Sequence, residues 1–203
     1  MTRWGSGGQG DRDEGTVREA VAPPPRARAA MVSVAAAGST AAAVAAAWIL
    51  IGPTGFVFAW IAHFVLMAGV SVALDARSRP LEHPWFRVRR WEVPLYGRLG
   101  ARLYGRVLGA VGWNRVVERG RGFDGTRAGL TGLDQHTRSS EAGHLLCLVV
   151  ASALAAAAVF MGAWVGALWL LGLGVLLHVY PVMLQRLLRA RIQVLTGLTN
   201  HRS

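Results

Sequence analysis

The chain has 203 residues, more than half of them apolar, yet it carries a formal net charge of +11. All 22 of its basic residues are arginine. This argues against an ordinary soluble domain and points to a membrane protein with a cationic face or a nucleic-acid binder with an apolar core; where the charges sit decides between them.

Residues 1–28 are rich in Gly and Pro with mixed charge, which predicts a disordered tail. Between Arg28 and Asp75 there follow 46 residues without Asp, Glu, Lys or Arg, and between Glu141 and Arg186 another 44. As helices these blocks would measure roughly 69 and 66 Å, against roughly 30 Å for one crossing of the hydrocarbon core. Each is twice too long for one span and suits two spans joined by a tight turn. "IGPTG" (51–55) and "MGAWVG" (161–166) supply the turns. The spans are expected at about 30–51, 55–74, 144–161 and 164–184.

The expected fold is therefore all-α and polytopic: a first hairpin over 29–75, a basic segment over 76–143, a second hairpin over 144–185 and a basic tail over 186–203. Five arginines precede the first hairpin, 13 lie between the two and four follow the second, while the turns at 52–55 and 162–163 carry none. The positive-inside rule makes the arginine side cytosolic, with both termini there and the chain in the cytoplasmic (inner) membrane.

The first span is alanine-rich and less apolar than a leucine-rich one, so a soluble helix is the competing reading. Gly38, Ala42 and Ala46, spaced four apart, would suit close packing against a neighbour. His63 lies mid-span, where an ionisable residue is a functional candidate, although a neutral imidazole bonded to a neighbouring helix is the simpler reading. Cys147, the only cysteine, excludes an intrachain disulfide.

Residues 83–92 read HPWFRVRRWE, about eight positions past the second span. Tryptophan favours the headgroup level, and arginine attracts anionic lipid there. Membrane lipid is thus the expected partner, and a membrane-held loop argues against nucleic acid. Two other polar pieces reach the same level. "EAGH" (141–144) opens the third span with Glu141 and His144 on one helical face, and "HVYPVMLQRLLRAR" (178–191) closes the fourth. Pro181 has no N–H to give, so the Leu177 carbonyl needs another partner or sits against a cavity.

The ordered series HPWFRVRRWE, LYGRLGARLYGRVLGAVGW, EAGH and YPVMLQRLLRAR resembles the glycosyl-4,4'-diaponeurosporenoate acyltransferase family over roughly residues 83–191. Phe86, Arg87, Trp91 and Glu92 fit its first block, Tyr96 and Trp113 its second, and Glu141 and His144 its third. Tyr180, Pro181, Gln185, Arg186, Arg189 and Arg191 fit the last. The sequence departs from the pattern at "WNRVVERG", at Leu187 and Leu188, and at His178, where an asparagine is expected.

The resemblance implies a membrane O-acyltransferase that esterifies a sugar hydroxyl of a glycosylated carotenoid or similar lipid. No cofactor is implied; the acyl donor is acyl-CoA or an acyl carrier protein. On this reading His144 is the base, since imidazole titrates near neutral pH, and Glu141 orients it. Arg186, Arg189 and Arg191 would hold donor phosphates or an acidic carrier, and Gln185 or Arg186 the oxyanion. Arg87, Trp91, Glu92 and Tyr180 complete the binding set. A plain polar helix start at Glu141 and His144, and simple anchoring arginines at 186–191, are the structural alternatives.

Three other readings compete. "HTRSSE" (136–141) echoes the His-x4-Asp element of glycerolipid acyltransferases. "EHPWF" has a passing similarity to small membrane methyltransferases. A non-catalytic protein binding anionic lipid or a partner enzyme is the third. No metal is expected, because di-iron bundles need a second Glu-x-x-His and further glutamates.

Overall fold

The computed structural model describes residues 26–76, 80–112 and 125–197. The tail expected over 1–28 falls almost wholly outside them, as does Trp113. Among the described residues the protein is all helix, and four helices are long and apolar enough to cross a membrane. It is a multi-pass membrane protein.

Helices α1 (Arg26–Ile51) and α2 (Phe56–Asp75) form the first hairpin. Its turn contains Gly52 at φ +79°, a left-handed conformation that costs glycine little. After a single 3-10 turn at Pro84–Phe86 come two short helices, α3 (Glu92–Arg98) and α4 (Ala101–Ala110). The second hairpin is α5 (Leu130–Phe160), a turn with Gly162 at φ +76°, and α6 (Trp164–Gly174). A π turn at Val175–Val179 carries α6 directly into α7 (Tyr180–Leu195).

Both turns lie where the charge-free blocks predict them, but the helices of the second hairpin are longer. Helix α5 has 31 residues and the α6–α7 rod 32, or roughly 46–48 Å each. Against roughly 30 Å of hydrocarbon, each projects some 15 Å at the arginine-rich end. Glu141 and His144 therefore do not open a helix: α5 starts at Leu130, and they lie in its second third. The projecting ends carry the polar side chains of the site.

Packing of α1 also differs from expectation. Ala36, Val44 and Ala47 are buried, whereas Gly38, Ala42 and Ala46 face outward. The close approach is made by Gly69 of α2, where an added Cβ would collide with the Thr40 hydroxyl. Small residues still set the contact, but the operative one lies on the partner helix. Deeper in the bundle, Phe58, Ala59, Ala62, Ala155, Ala158 and Leu170 make a core between α2, α5 and α6.

The π turn follows from Pro181. Tyr180 donates to Val175, five residues back, and Pro181 has no donor, so the Leu176 and Leu177 carbonyls lie at a gap in the helix ladder. The Tyr104 hydroxyl donates to the Leu176 oxygen at 2.9 Å, and the Leu177 carbonyl lies against the His144 ring. Side chains from α4 and α5 thus meet the polar groups that the proline leaves open.

Candidate active site

After its 3-10 turn the HPWFRVRRWE stretch runs extended through Arg87 to Arg89 and lies across α5 and α7 as a clamp. Phe86 and Val88 point inward and are buried, while Arg87 and Arg89 point out. Such alternation is what an extended chain with one buried face produces. Main-chain bonds hold it along its length. Leu81 N–H donates to Gln135 (3.2 Å), Arg138 to the Leu81 carbonyl (2.9 Å), Arg186 to the Trp85 carbonyl (2.9 Å) and Arg189 to the Phe86 carbonyl (3.0 Å). With its amide oriented to satisfy both groups, Gln193 pairs with the Val88 N–H and carbonyl at 3.2 and 3.3 Å.

Beneath the clamp is a buried ion network. Glu141 receives Arg186 Nε at 2.8 Å on one oxygen and Arg189 Nη1 at 2.5 Å on the other; neither Glu141 nor Arg189 is exposed. Arg186 Nη1 also reaches Glu92 at 2.5 Å. The Trp85 indole N–H donates to Glu141 at 3.1 Å, and Arg189 Nε donates to Thr137 at 3.1 Å. Asp134 lies 3.7 Å from Arg189 and 2.6 Å from Arg138. Three carboxylates thus face three guanidiniums, the balance that burial of charge demands. The Arg186 and Arg189 guanidiniums also lie 5.0 and 5.4 Å from the Trp85 and Phe86 ring centres.

Glu92 sits in the first turn of α3, 3 % exposed. Burial alone would raise its carboxyl, but the Arg89 N–H, the Tyr96 hydroxyl and the Arg186 guanidinium together hold it below its ordinary value of 4.5. Burial, reinforced by that carboxylate, pushes the Tyr96 phenol up.

Adjacent to the network, three histidines form a line. His63 Nδ1 of α2 lies 2.9 Å from His178 Nε2 of the π turn, and His178 Nδ1 lies 3.2 Å from His144 Nδ1 of α5. At the inner end His63 Nε2 meets the Leu170 carbonyl at 3.0 Å. His63 and His178 are each 1 % exposed; His144 is only partly buried. Among the described residues no group of three or more His, Cys, Asp or Glu side chains is arranged to hold a metal ion. The two rings flanking His178 address different nitrogens of it, so the three share no common point.

The structure brings together Glu92, Glu141, Gln185, Arg186 and Arg189 at the inner faces of α5, α7 and the clamp. Glu141 serves Arg186, Arg189 and Trp85, and the neighbour bonded to His144 is His178. Arg186 and Arg189 are buried and paired with carboxylates. The Gln185 amide nitrogen donates to Ser140 at 3.1 Å, and all three Arg186 nitrogens are bonded. Arg87, Trp91 and Arg191 are exposed on the surface. Tyr180 stacks on Tyr104, ring centres 4.9 Å apart.

Two competing motifs also find their places. His136 and Glu141, five positions apart, point about 140° away from each other around α5. His83 accepts the Trp85 N–H at 3.1 Å and so closes the turn that starts the clamp. Trp85, Thr137, Asp134 and Tyr104 are site residues that the sequence reading did not select, and His178 stood out there only as a departure from the family pattern. Pro181 gave a further signal, by predicting a carbonyl in need of a partner beside His178.

Comparison with known families matches residues 82–197 to glycosyl-4,4'-diaponeurosporenoate acyltransferase. No curated protein and no solved structure matches the chain. The matched segment takes in the clamp, α3, α4, α5 and the α6–α7 rod, more than half the chain and every residue of the buried ion network. On that match the chain belongs to the glycosyl-4,4'-diaponeurosporenoate acyltransferase family.

Proposed function

We propose that the protein is a membrane-bound O-acyltransferase that esterifies a sugar hydroxyl of a lipid-like glycoside, of which a glycosyl carotenoid is the family's example. The observation that carries this reading is the partly open imidazole of His144. It lies beside a buried, charge-balanced scaffold, at the end of the bundle where the second hairpin outruns the membrane. There a glycoside can keep its apolar body in the bilayer and offer its sugar to the ring. The arginine-rich end is the cytosolic one, which gives access to an acyl thioester, acyl-CoA or an acyl carrier protein.

In this mechanism His144 takes the proton of the sugar hydroxyl as its oxygen attacks the thioester carbonyl carbon. Collapse of the tetrahedral intermediate breaks the C–S bond, and the imidazolium returns the proton to the thiolate that leaves. The exposed arginines of the clamp and of α3 and α4, together with Arg191, supply the positive surface for the donor's phosphates or the carrier's acidic face. The buried network holds the clamp in place and takes no proton.

The test compares lipid extracts of cells bearing the protein, its His144→Ala variant or neither. The glycoside ester is expected with the wild type alone, with both proteins equally abundant in the membrane. An ester formed undiminished by the variant removes His144 as base. Extracts that do not differ at all overturn the enzymatic reading in favour of a lipid- or partner-binding protein.

A further inference from the structure

We infer that His178 and His63 are positioning residues that lock His144 in the one neutral tautomer whose Nε2 carries the free lone pair; the catalytic use of that lone pair rests on the reading above. The assignment follows from hydrogen-bond bookkeeping along the line. The Leu170 carbonyl only accepts, so the His63 Nε2 facing it at 3.0 Å bears the hydrogen. A neutral imidazole carries one N–H, which leaves His63 Nδ1 an acceptor. His178 Nε2, 2.9 Å away, must then donate to it. That makes His178 Nδ1 an acceptor in turn, and His144 Nδ1, at 3.2 Å, the donor. Nε2 of His144 is left proton-free at the one ring of the three that is not buried.

The surroundings favour the neutral form throughout. His63 and His178 are enclosed by helices α2, α5 and α6 in the membrane part of the bundle. Glu141, the nearest acid in sequence, is already bonded to Arg186, Arg189 and Trp85. Among the described residues no carboxylate bonds to the histidine line; two main-chain carbonyls meet it, Leu170 on His63 and Leu177 on His144, and the assignment requires Leu177 to share the His144 Nδ1–H with His178. An acid–histidine pair reaches the same result with a charge; here a carbonyl and two further rings do so in a setting where a buried charge would be costly.

The position of His178 has a chemical stand-in. Asparagine places an amide oxygen close to where His178 Nδ1 lies, and that oxygen accepts from His144 Nδ1 as the imidazole does. Leucine has the bulk and no acceptor. His178→Asn should therefore keep the tautomer, and His178→Leu should free His144 to carry its hydrogen on either nitrogen.

The experiment is 15N NMR of histidine-labelled protein in lipid nanodiscs, in a background with His83, His136 and His201 replaced by glutamine. The His144 resonances should report Nδ1–H and bare Nε2 in the wild type and in His178→Asn, and a mixture in His178→Leu. In the ester assay kcat should fall roughly 10²-fold in His178→Leu with KM unchanged, and be restored by His178→Asn. His144 carrying its hydrogen on Nε2 in the wild type, or an unchanged tautomer in His178→Leu, overturns the inference. If the wild type makes no ester, the base reading fails while the NMR spectra still decide the tautomer.

Discussion

Glu141 and Arg189 meet at 2.5 Å with neither side chain exposed, and Arg186 closes on the other Glu141 oxygen at 2.8 Å. A carboxylate so placed neutralises two buried cations at once. Its loss leaves Arg186 with Glu92 alone and Arg189 with only the more distant, partly buried Asp134. Glu141→Ala should therefore lower stability by about 3–5 kcal/mol. Unfolding in detergent micelles measures it. Adding Arg189→Met to the same protein should recover part of the loss, because it removes one stranded charge. A double variant as unstable as the sum of its parts would contradict the pairing.

The same network carries a pH dependence through Glu92. Its carboxyl is held below 4.5 in the folded protein, so the unfolded chain binds the proton more readily. Stability from this group is present above about pH 4.5 and is lost as pH falls through the lower, folded value. Glu92→Gln removes that contribution. The melting temperatures of variant and wild type should differ most near neutral pH and converge below pH 4.5. A gap that stays constant from pH 7 to pH 3 would refute the assignment.

What the sequence discloses follows from how far each signal reaches. Two charge-free blocks of 46 and 44 residues with a glycine near the middle are long-range signals, and they place both hairpins. The outer ends of α5 and α7 are not legible in the same way. Beyond the hydrocarbon these helices use polar residues such as Thr137, Arg186 and Arg189, whose burial depends on a clamp from elsewhere in the chain. The pairings were hidden for a related reason. Glu141 and His144 are three apart, which suggests a couple, yet they differ by about 60° around the helix. That offset sends one to α7 and the clamp, the other to the π turn. Partners of Glu141 lie 45 and 48 positions away, and periodicity carries no information at that separation.

The gap at Pro181 can be tested through the side chain that meets it. Tyr104→Phe deletes only the hydroxyl that donates to the Leu176 carbonyl, and should cost about 0.5–1.5 kcal/mol. Pro181→Ala restores a main-chain donor in the same turn. In that background the tyrosine hydroxyl has less to supply, so the effect of Tyr104→Phe should shrink. Equal losses in both backgrounds, read as shifts in thermal unfolding, would show that the carbonyl had no need of it.

Orientation across the membrane is testable at two exposed threonines. Thr54 lies in the turn of the first hairpin and Thr131 at the start of α5, near opposite ends of the bundle. Cys147 is fully buried among Leu66, Val44 and Ala151, so Cys147→Ala supplies a background without thiols at small cost. In it, Thr54→Cys should react with a membrane-impermeant maleimide added to intact cells. Thr131→Cys should react only after the membrane is opened, because it shares its end of the bundle with the arginines. The reverse pattern would put the clamp and His144 outside the cell, away from any thioester donor, and would remove the acyl-transfer mechanism along with the orientation.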